Sequence, residues 1–549
     1  MSRRARLPVL ALIAVTAAGG VLRFYRIDHN GLWLDEAFSV WMAQHPRPEM
    51  FGWLTRIDQH PPLYYTLLHF WLAAGDAEGY VRGLSALLST LAIPVLYGIG
   101  RRIGGAPVGL VAAVILALSS FQVRYAQEAR MYALLTLCVA LAVLGLVEIL
   151  TAGNRAARRP PVETGGYPTQ NPPRWVAEDV RMQGSTGFNR FRIRLAADFN
   201  RWQGGRRRPW LLYIVFTAAA ILTHSTALFF PVAANLFVIG FILHRRRRPA
   251  TAATEPSVCT FTPPLLRTWL LAQGAVLLLW LPWSYSFVIQ SIGVYRQFWI
   301  QPPTPETAAG AGRALLNDFL PPYLPGALVW LGYALLIALG AAALRKRLPV
   351  LMLLLALLLT PVLGELLVSL RRPIFSDRTL IWLAIPLCLL LAFGILHLRP
   401  RPLAGLGLAL LCAVNLLSLH NFYTTFQKEE WREAAADLAQ QVRADDLILS
   451  NATWVQLPFD YYFGRYDLPV TQHGAPVDLF DSGVLEPIMT AADLPRLRSL
   501  IEGHDRVWLV YSHDWYTDPD KLIPAALDAE LEYAGAQQYY GLQVLSYER

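Results

Sequence analysis

Charge and cysteine are both scarce in this chain, and each scarcity excludes something. Only 16% of the 549 residues are charged, while 54% are hydrophobic. That leaves too little polar surface to cover a soluble globule of this size, and a lipid bilayer is the natural solvent for the excess. The cysteines are Cys138, Cys259, Cys388 and Cys412. They are scattered and all but Cys259 lie inside apolar runs, so neither a disulfide framework nor a cysteine-based metal site follows. No internal repeat is visible, and no nucleic-acid module accompanies the net charge of +9. Basic charge on an apolar protein points to loops facing anionic lipid, so nucleic-acid binding is set aside.

What the chain does have is apolar length. A span needs about 20 mostly apolar residues whose backbone groups are satisfied internally. Eleven runs fit, near residues 7–22, 82–100, 106–120, 131–150, 210–227, 228–244, 266–288, 323–343, 349–369, 379–397 and 403–420. The first could also be read as a cleaved secretory signal, but ten further runs favour an uncleaved span. The expected fold is therefore mainly α, a polytopic transmembrane helical bundle over residues 1–420.

Arginine sets the expected orientation. With a cytoplasmic N-terminus and eleven crossings, the inner side receives every strong basic cluster except Arg371, Arg372 and Arg378. The inner side also takes a long insert, 151–209, with twelve Arg against four acids. Its composition reads as disordered, with Phe188 to Trp202 as a surface-lying amphipathic helix. The stretch Pro61 to Ala74 is too short to span, and counting it would reverse every later loop, so it reads as a helix lying on or dipping into the outer surface. From 421 onward the pattern changes. Of 48 Lys+Arg and 39 Asp+Glu in the chain, residues 421–549 hold 9 and 21, leaving 39 and 18 before them. Glu429 to Arg443 has helical spacing, and Asp446 to Ser450, Arg506 to Ser512 and Gln543 to Tyr547 read as buried strands. A C-terminal soluble α/β domain outside the membrane is expected, on a multi-pass protein of the plasma or inner cell membrane.

Three outer segments hold chemistry-bearing side chains. Asp35 and Glu36 begin an amphipathic helix just beyond the first span, with Trp33, Phe38 and Trp41 as interface anchors. Adjacent carboxylates beside a membrane need water, a metal or a cation, though a helix-start pair that merely complements the macrodipole is the plainer reading. The loop 124–132 carries Arg124, Glu128, Arg130 and Tyr132. Its arginines could fork onto a lipid phosphate, with Glu128 holding one of them, or simply snorkel to the interface. Arg372 and Arg378, in the cationic turn that breaks the charge rule, call for an anion. Glu365 and Asp377 could supply it, or a polyprenyl phosphate could. His60, His224 and the aromatic loop with Tyr295, Arg296, Trp299 and Gln301 are further candidates. His60 and His224, together with Asp35, Glu36 or Glu128, could form a divalent-metal site, with Glu128 and His224 as its first candidates.

These segments, LWLDEAFS at 32–39, DQHPPLYY at 58–65, RYAQEARMY at 124–132, the Thr223–His224 pair and FSDRTLIWLAIP at 375–386, resemble the GT-C superfamily of membrane glycosyltransferases. The likeness is specifically to the protein-mannosyltransferase-like group (glycosyltransferase family 39), which includes the aminoarabinose transferase acting on lipid A. The resemblance covers roughly residues 1–420. It implies an inverting transfer from a polyprenyl-phosphate sugar donor to a glycan, lipid or protein acceptor. Asp35 would be the general base, Glu36 would orient it or help bind a metal, and Arg124, Arg130, Tyr132, Arg372 and Arg378 would hold the donor phosphate. His60, Tyr295 and Arg296 would serve the acceptor side. The long inner insert and the acidic tail depart from the family pattern, so acceptor identity does not carry over. A lipid-linked-sugar flippase and a non-catalytic envelope scaffold are the competing readings. Against a flippase, the ionisable residues sit at span ends rather than mid-span.

Overall fold

The structure is a computed structural model describing residues 3–58, 60–157, 207–246, 263–294, 302–481, 483 and 487–549. Tyr295, Arg296, Trp299, Gln301 and the helix expected at Phe188 to Trp202 fall outside those residues. The chain opens with helix α1 (Arg3–Phe24), followed by three short helices, α2 (Leu34–Gln44), α3 (Arg47–Arg56) and α4 (Leu63–Leu72). Then come α5 (Glu78–Gly104), the bent pair α6 (Ala106–Leu118) and α7 (Ser120–Ala126), and α8 (Tyr132–Ala157). Further helices cover Arg207–Ile221, Phe229–Arg246, Pro263–Val294, Gly326–Ala343, Leu348–Ser369, Ala384–His397 and Arg401–Thr425. The stretch expected to lie across the surface is the ten-residue α4.

Every one of the eleven expected runs falls on a helix, but fewer meet a length-and-apolarity test for crossing a membrane. Among the described residues seven stretches do, or eight if α6 and α7, which meet at 59°, form one span. The difference has two causes. Gly326–Ser369 is one continuous apolar stretch of 44 residues that contains two helices joined by the turn Leu344–Arg347. The helices Arg207–Ile221 and Ala384–His397 are only 15 and 14 residues long.

Glycine sets how closely two of these helices approach. A Cβ added at Gly340 would lie 2.0 Å from the Leu390 carbonyl oxygen, and one at Gly394 would lie 2.0 Å from the Leu336 oxygen. The backbones of Gly326–Ala343 and Ala384–His397 therefore touch, the small-residue packing that replaces the hydrophobic effect between helices in lipid. Gly394→Ala should force them apart and lower stability by roughly 1–3 kcal/mol. The thermal unfolding midpoint of the detergent-solubilised protein measures this, and an unchanged midpoint would show that the helices part freely.

After Thr425 the chain becomes α/β, five residues later than the composition change placed it. Strands β1 (Leu447–Asn451), β2 (Thr471–Ala475), β3 (Arg506–Tyr511), β4 (Glu532–Tyr539) and β5 (Leu542–Glu548) form one sheet in the order β2-β1-β3-β5-β4. β1 pairs in parallel with β2 and β3, and β5 pairs antiparallel with β3 and β4. One sheet face packs Leu447, Leu449, Val507 and Leu509 into the domain's own core with Ile523 and Leu527. The opposite face, with Ile448, Trp508 and Val510, joins helix Trp431–Ala439 and Val455 in a core continuous with that of the bundle. The domain is thus packed onto the bundle rather than tethered beside it.

Candidate functional site

Asp35 and Glu36 occupy the first turn of α2 and point to different partners. Glu36 is fully buried. Its Oε1 accepts from Arg82 Nε at 2.7 Å and from the Ala129 amide at 2.8 Å, and its Oε2 accepts from Arg82 Nη2 at 2.6 Å and Lys428 Nζ at 2.9 Å. Burial pushes this carboxyl up, but Arg82 and Lys428 more than offset that and hold it at about 2. With both oxygens occupied by protein donors, Glu36 ties three segments together and has no lone pair directed at a substrate or a metal, contrary to the expectation that it might bind one. Arg82, in α5, uses its remaining donors on the carbonyls of Ile27, Asn30 and Gly31, at 2.7–2.9 Å, and so fixes the loop that delivers α2.

Asp35 is the more exposed of the two acids. Its Oδ2 accepts from Arg378 Nη1 at 3.2 Å and lies 4.0 Å from Arg130 Nε. Asp35 and Arg378 are each 17% exposed and Arg130 is 4% exposed. Burial pushes the Asp35 carboxyl up, and the two guanidinium groups outweigh it, leaving the group below its ordinary range. Arg130 Nη1 also reaches the Asp35 carbonyl, Ser39 Oγ and Tyr65 Oη, each at 3.3 Å. Its Nε is buried with no hydrogen-bond partner among the described residues. Arg378 is set in place by its own turn, where Asp377 Oδ1 accepts from the Arg378 amide at 2.8 Å.

His60 stands near Asp35 and is bonded to Asp58 Oδ1 at 2.9 Å, with the His224 ring 5.4 Å away and Tyr132 6.2 Å beyond that. Asp35, Arg130, Arg378, Tyr132, His60 and His224, from five segments of the chain, therefore form one grouping.

Other expected members stand apart. Arg124 pairs with Asp318 at 3.1 Å and Glu128 at 3.8 Å, and its guanidinium lies over Tyr125, Phe319 and Phe426 at 5.1–5.7 Å. These contacts give its guanidinium partners within the bundle. Glu128 is buried, and burial raises its carboxyl further than Lys428 and Arg124 lower it. Among the described residues no three His, Cys, Asp or Glu side chains converge as a metal would require. Arg372 donates to the Ser291 carbonyl and, with Leu367, Val368 and Arg371, lines a separate open cavity of about 600 Å³. Glu365, offered as a counter-ion for the cationic turn, bonds Thr379 Oγ1 at 2.7 Å; the carboxylate that meets Arg378 is Asp35. Phe38 and Trp41, expected to anchor α2 in the membrane interface, pack on Trp454 and Phe480 of the C-terminal domain.

Arg82, Lys428, Asp58 and Tyr65 join the expected residues at this site. The last two lie inside the DQHPPLYY segment. Lys428 had one faint signal, being one of three lysines in an arginine-rich chain.

Comparison with known proteins bears on the fold. Residues 59–157 match the family model described as dolichyl-phosphate-mannose-protein mannosyltransferase. No curated protein sequence matches the chain. Among solved structures, ArnT from Cupriavidus metallidurans in the apo state shares 13% identity at a TM-score of 0.59, covering 99% of this chain and 98% of that one. The same protein bound to undecaprenyl phosphate gives 14% identity and 0.52, covering 98% and 97%. The Archaeoglobus fulgidus oligosaccharyltransferase in its apo form gives 11% and 0.55, covering 96% of this chain and 73% of that one. At such identities the likeness is one of fold, and for ArnT it runs end to end through bundle and C-terminal domain.

Proposed function

We propose that this chain, which has the GT-C fold of membrane glycosyltransferases, moves a sugar from a polyprenyl-phosphate donor to a hydroxyl-bearing acceptor at the outer face of the membrane. The observation that carries the reading is the juxtaposition of Asp35 with Arg130 and Arg378, delivered by three distant segments. Transfer with inversion needs a base for the incoming hydroxyl and fixed cations for the departing phosphate. The acceptor oxygen attacks the anomeric carbon from the face opposite the phosphate, and the bond from that carbon to the phosphate oxygen breaks. The electron pair leaves on polyprenyl phosphate and the acceptor proton passes to Asp35.

The same arrangement supports an ordered reaction. While the guanidinium groups are spent on Asp35, its carboxylate is a poor base. An incoming phosphate competes for Arg378 and for the unused Arg130 Nε, and each contact it takes returns basicity to Asp35. Substrate binding thus switches on the base that consumes the substrate. The excess of arginine at the opposite ends of the spans supports placing this end, with the C-terminal domain, outside the cytoplasm.

Binding is the test. Full-length protein in nanodiscs, titrated with undecaprenyl phosphate and with the phosphate-free alcohol, should bind the first saturably and the second weakly. Arg378→Gln should weaken phosphate-lipid binding roughly tenfold or more, the weight of a charge-assisted contact. Equal affinity for the phosphate and the alcohol would overturn the reading.

A further inference from the structure

Two charged residues follow one another where the last long helix gives way to the C-terminal domain, and both turn toward α2. Lys428 is nine-tenths buried; besides Glu36 it reaches the Gln127 carbonyl at 3.4 Å. Glu429 lies beside the Leu34 backbone amide at the start of α2, which favours its ionised form, a carboxylate at a helix N-terminus. Glu429 is itself held by Trp431 Nε1 at 2.6 Å and faces His513 Nε2 at 3.3 Å, at the end of β3. Gly541, beside that end of the sheet, leaves room for it, since a Cβ there would come within 2.7 Å of the Glu429 Cγ.

The same domain grips the approach to α2 elsewhere. Tyr462 Oη accepts from the Leu32 amide at 2.5 Å and donates to Glu78 at 2.6 Å. Arg432 donates to Glu78 and to the His29 carbonyl, each at 2.9 Å, and Trp454 covers Phe38 at 5.0 Å. The first turn of α2 therefore has two sets of supports, Arg82 from the bundle and Lys428 with its neighbours from the domain, and they meet on one carboxylate.

We propose that the C-terminal domain is a working part of the active site, and that Lys428 is the positioning residue through which it holds the turn bearing Asp35. This rests on the assignment of Asp35 to the reaction. Lys428 itself contacts no reacting atom: it fixes Glu36, and Glu36 is joined to Asp35 by one peptide bond. Arg82 keeps Glu36 neutralised when Lys428 is lost, so removing the lysine loosens the turn without leaving a buried charge alone.

Hydrogen exchange on the full-length protein in nanodiscs reads this directly. In Lys428→Met the amides of residues 34–40 should exchange roughly tenfold faster than in the parent, the fold-change of a lost charge-assisted hydrogen bond, with the thermal midpoint little changed. Added undecaprenyl phosphate should protect those amides in the parent and in Lys428→Arg, and fail to do so in Lys428→Met. Unchanged exchange at 34–40 in Lys428→Met overturns the proposal. So does lipid-induced protection of that variant equal to the parent's. If the lipid protects none of the three proteins, the functional reading fails, while the intrinsic exchange rates still decide whether Lys428 holds the turn.

Discussion

Asp35→Asn should lower sugar transfer by roughly 10²- to 10⁴-fold, the range attributed to a positioned general base, while undecaprenyl phosphate binds as well as before or somewhat better. The two effects separate because the carboxylate and the phosphate compete for one guanidinium. In the parent, Arg378 is committed to Asp35 Oδ2 at 3.2 Å, and a phosphate must displace that contact. An amide keeps the shape of the side chain, leaves the Asp35 carbonyl free to accept from Arg130 Nη1 and Ser39 Oγ, and frees Arg378 for the lipid. The fold should survive, because Arg378 is partly exposed and Arg130 keeps the residue-35 carbonyl, Ser39 Oγ and Tyr65 Oη as acceptors. Single-turnover transfer, lipid titration and the thermal midpoint of the same preparation check the three parts. Parent-level transfer would remove Asp35 from the chemistry. Lost binding with a lowered midpoint would make it a structural residue.

How much of this could be read from the sequence depended on whether a residue's partner lies nearby in the chain. Arg378 was legible because it breaks the charge rule for loops, and Asp35 because two adjacent acids beside a span are costly; the turn and the acid are 343 residues apart, yet both advertised a missing counter-charge. Arg124 advertised one equally, but its partners Asp318, Phe319 and Phe426 lie in segments that nothing local connects to it. The division of labour between Asp35 and Glu36 was also hidden. Successive residues on a helix point about 100° apart, and which of the two stays partly exposed depends on where Arg82 and Lys428 arrive.

The apolar pattern behaved in the same way. β1, β3 and β5 are rich in buried apolar residues and were found. β2 and β4, at the sheet edges, read THR-GLN-HIS-GLY-ALA and a run of half-exposed residues, without the alternation or apolar run that marks a strand. Phe38 and Trp41 gave the signature of an interfacial helix, because an apolar stripe facing lipid and one facing a packed domain are the same stripe in sequence.

The largest loss of stability should follow Arg82→Met. The guanidinium of Arg82 is buried and satisfies both oxygens of Glu36 and three backbone carbonyls. Methionine fills much of the volume but offers none of the five donors, so the carboxylate remains with only Lys428 and the Ala129 amide. Breaking a buried pair by removing one partner costs roughly 3–5 kcal/mol. The pH dependence gives a second handle. The Glu36 carboxyl is held at about 2 in the folded protein, below its ordinary value, so its contribution of about 3 kcal/mol is complete above the ordinary glutamate range and drains away as pH falls through that range toward 2. Without Arg82 the carboxyl moves up, and the acid side of the stability curve should shift toward neutral pH. Acid unfolding followed by tryptophan fluorescence in detergent should show the Arg82→Met midpoint displaced upward, with Arg82→Lys between the two because one ammonium cannot reproduce the fork. Coincident acid midpoints for all three proteins would mean that Glu36 is not ionised against Arg82, and the tie between α2, α5 and the C-terminal domain would then have to be hydrogen bonding alone.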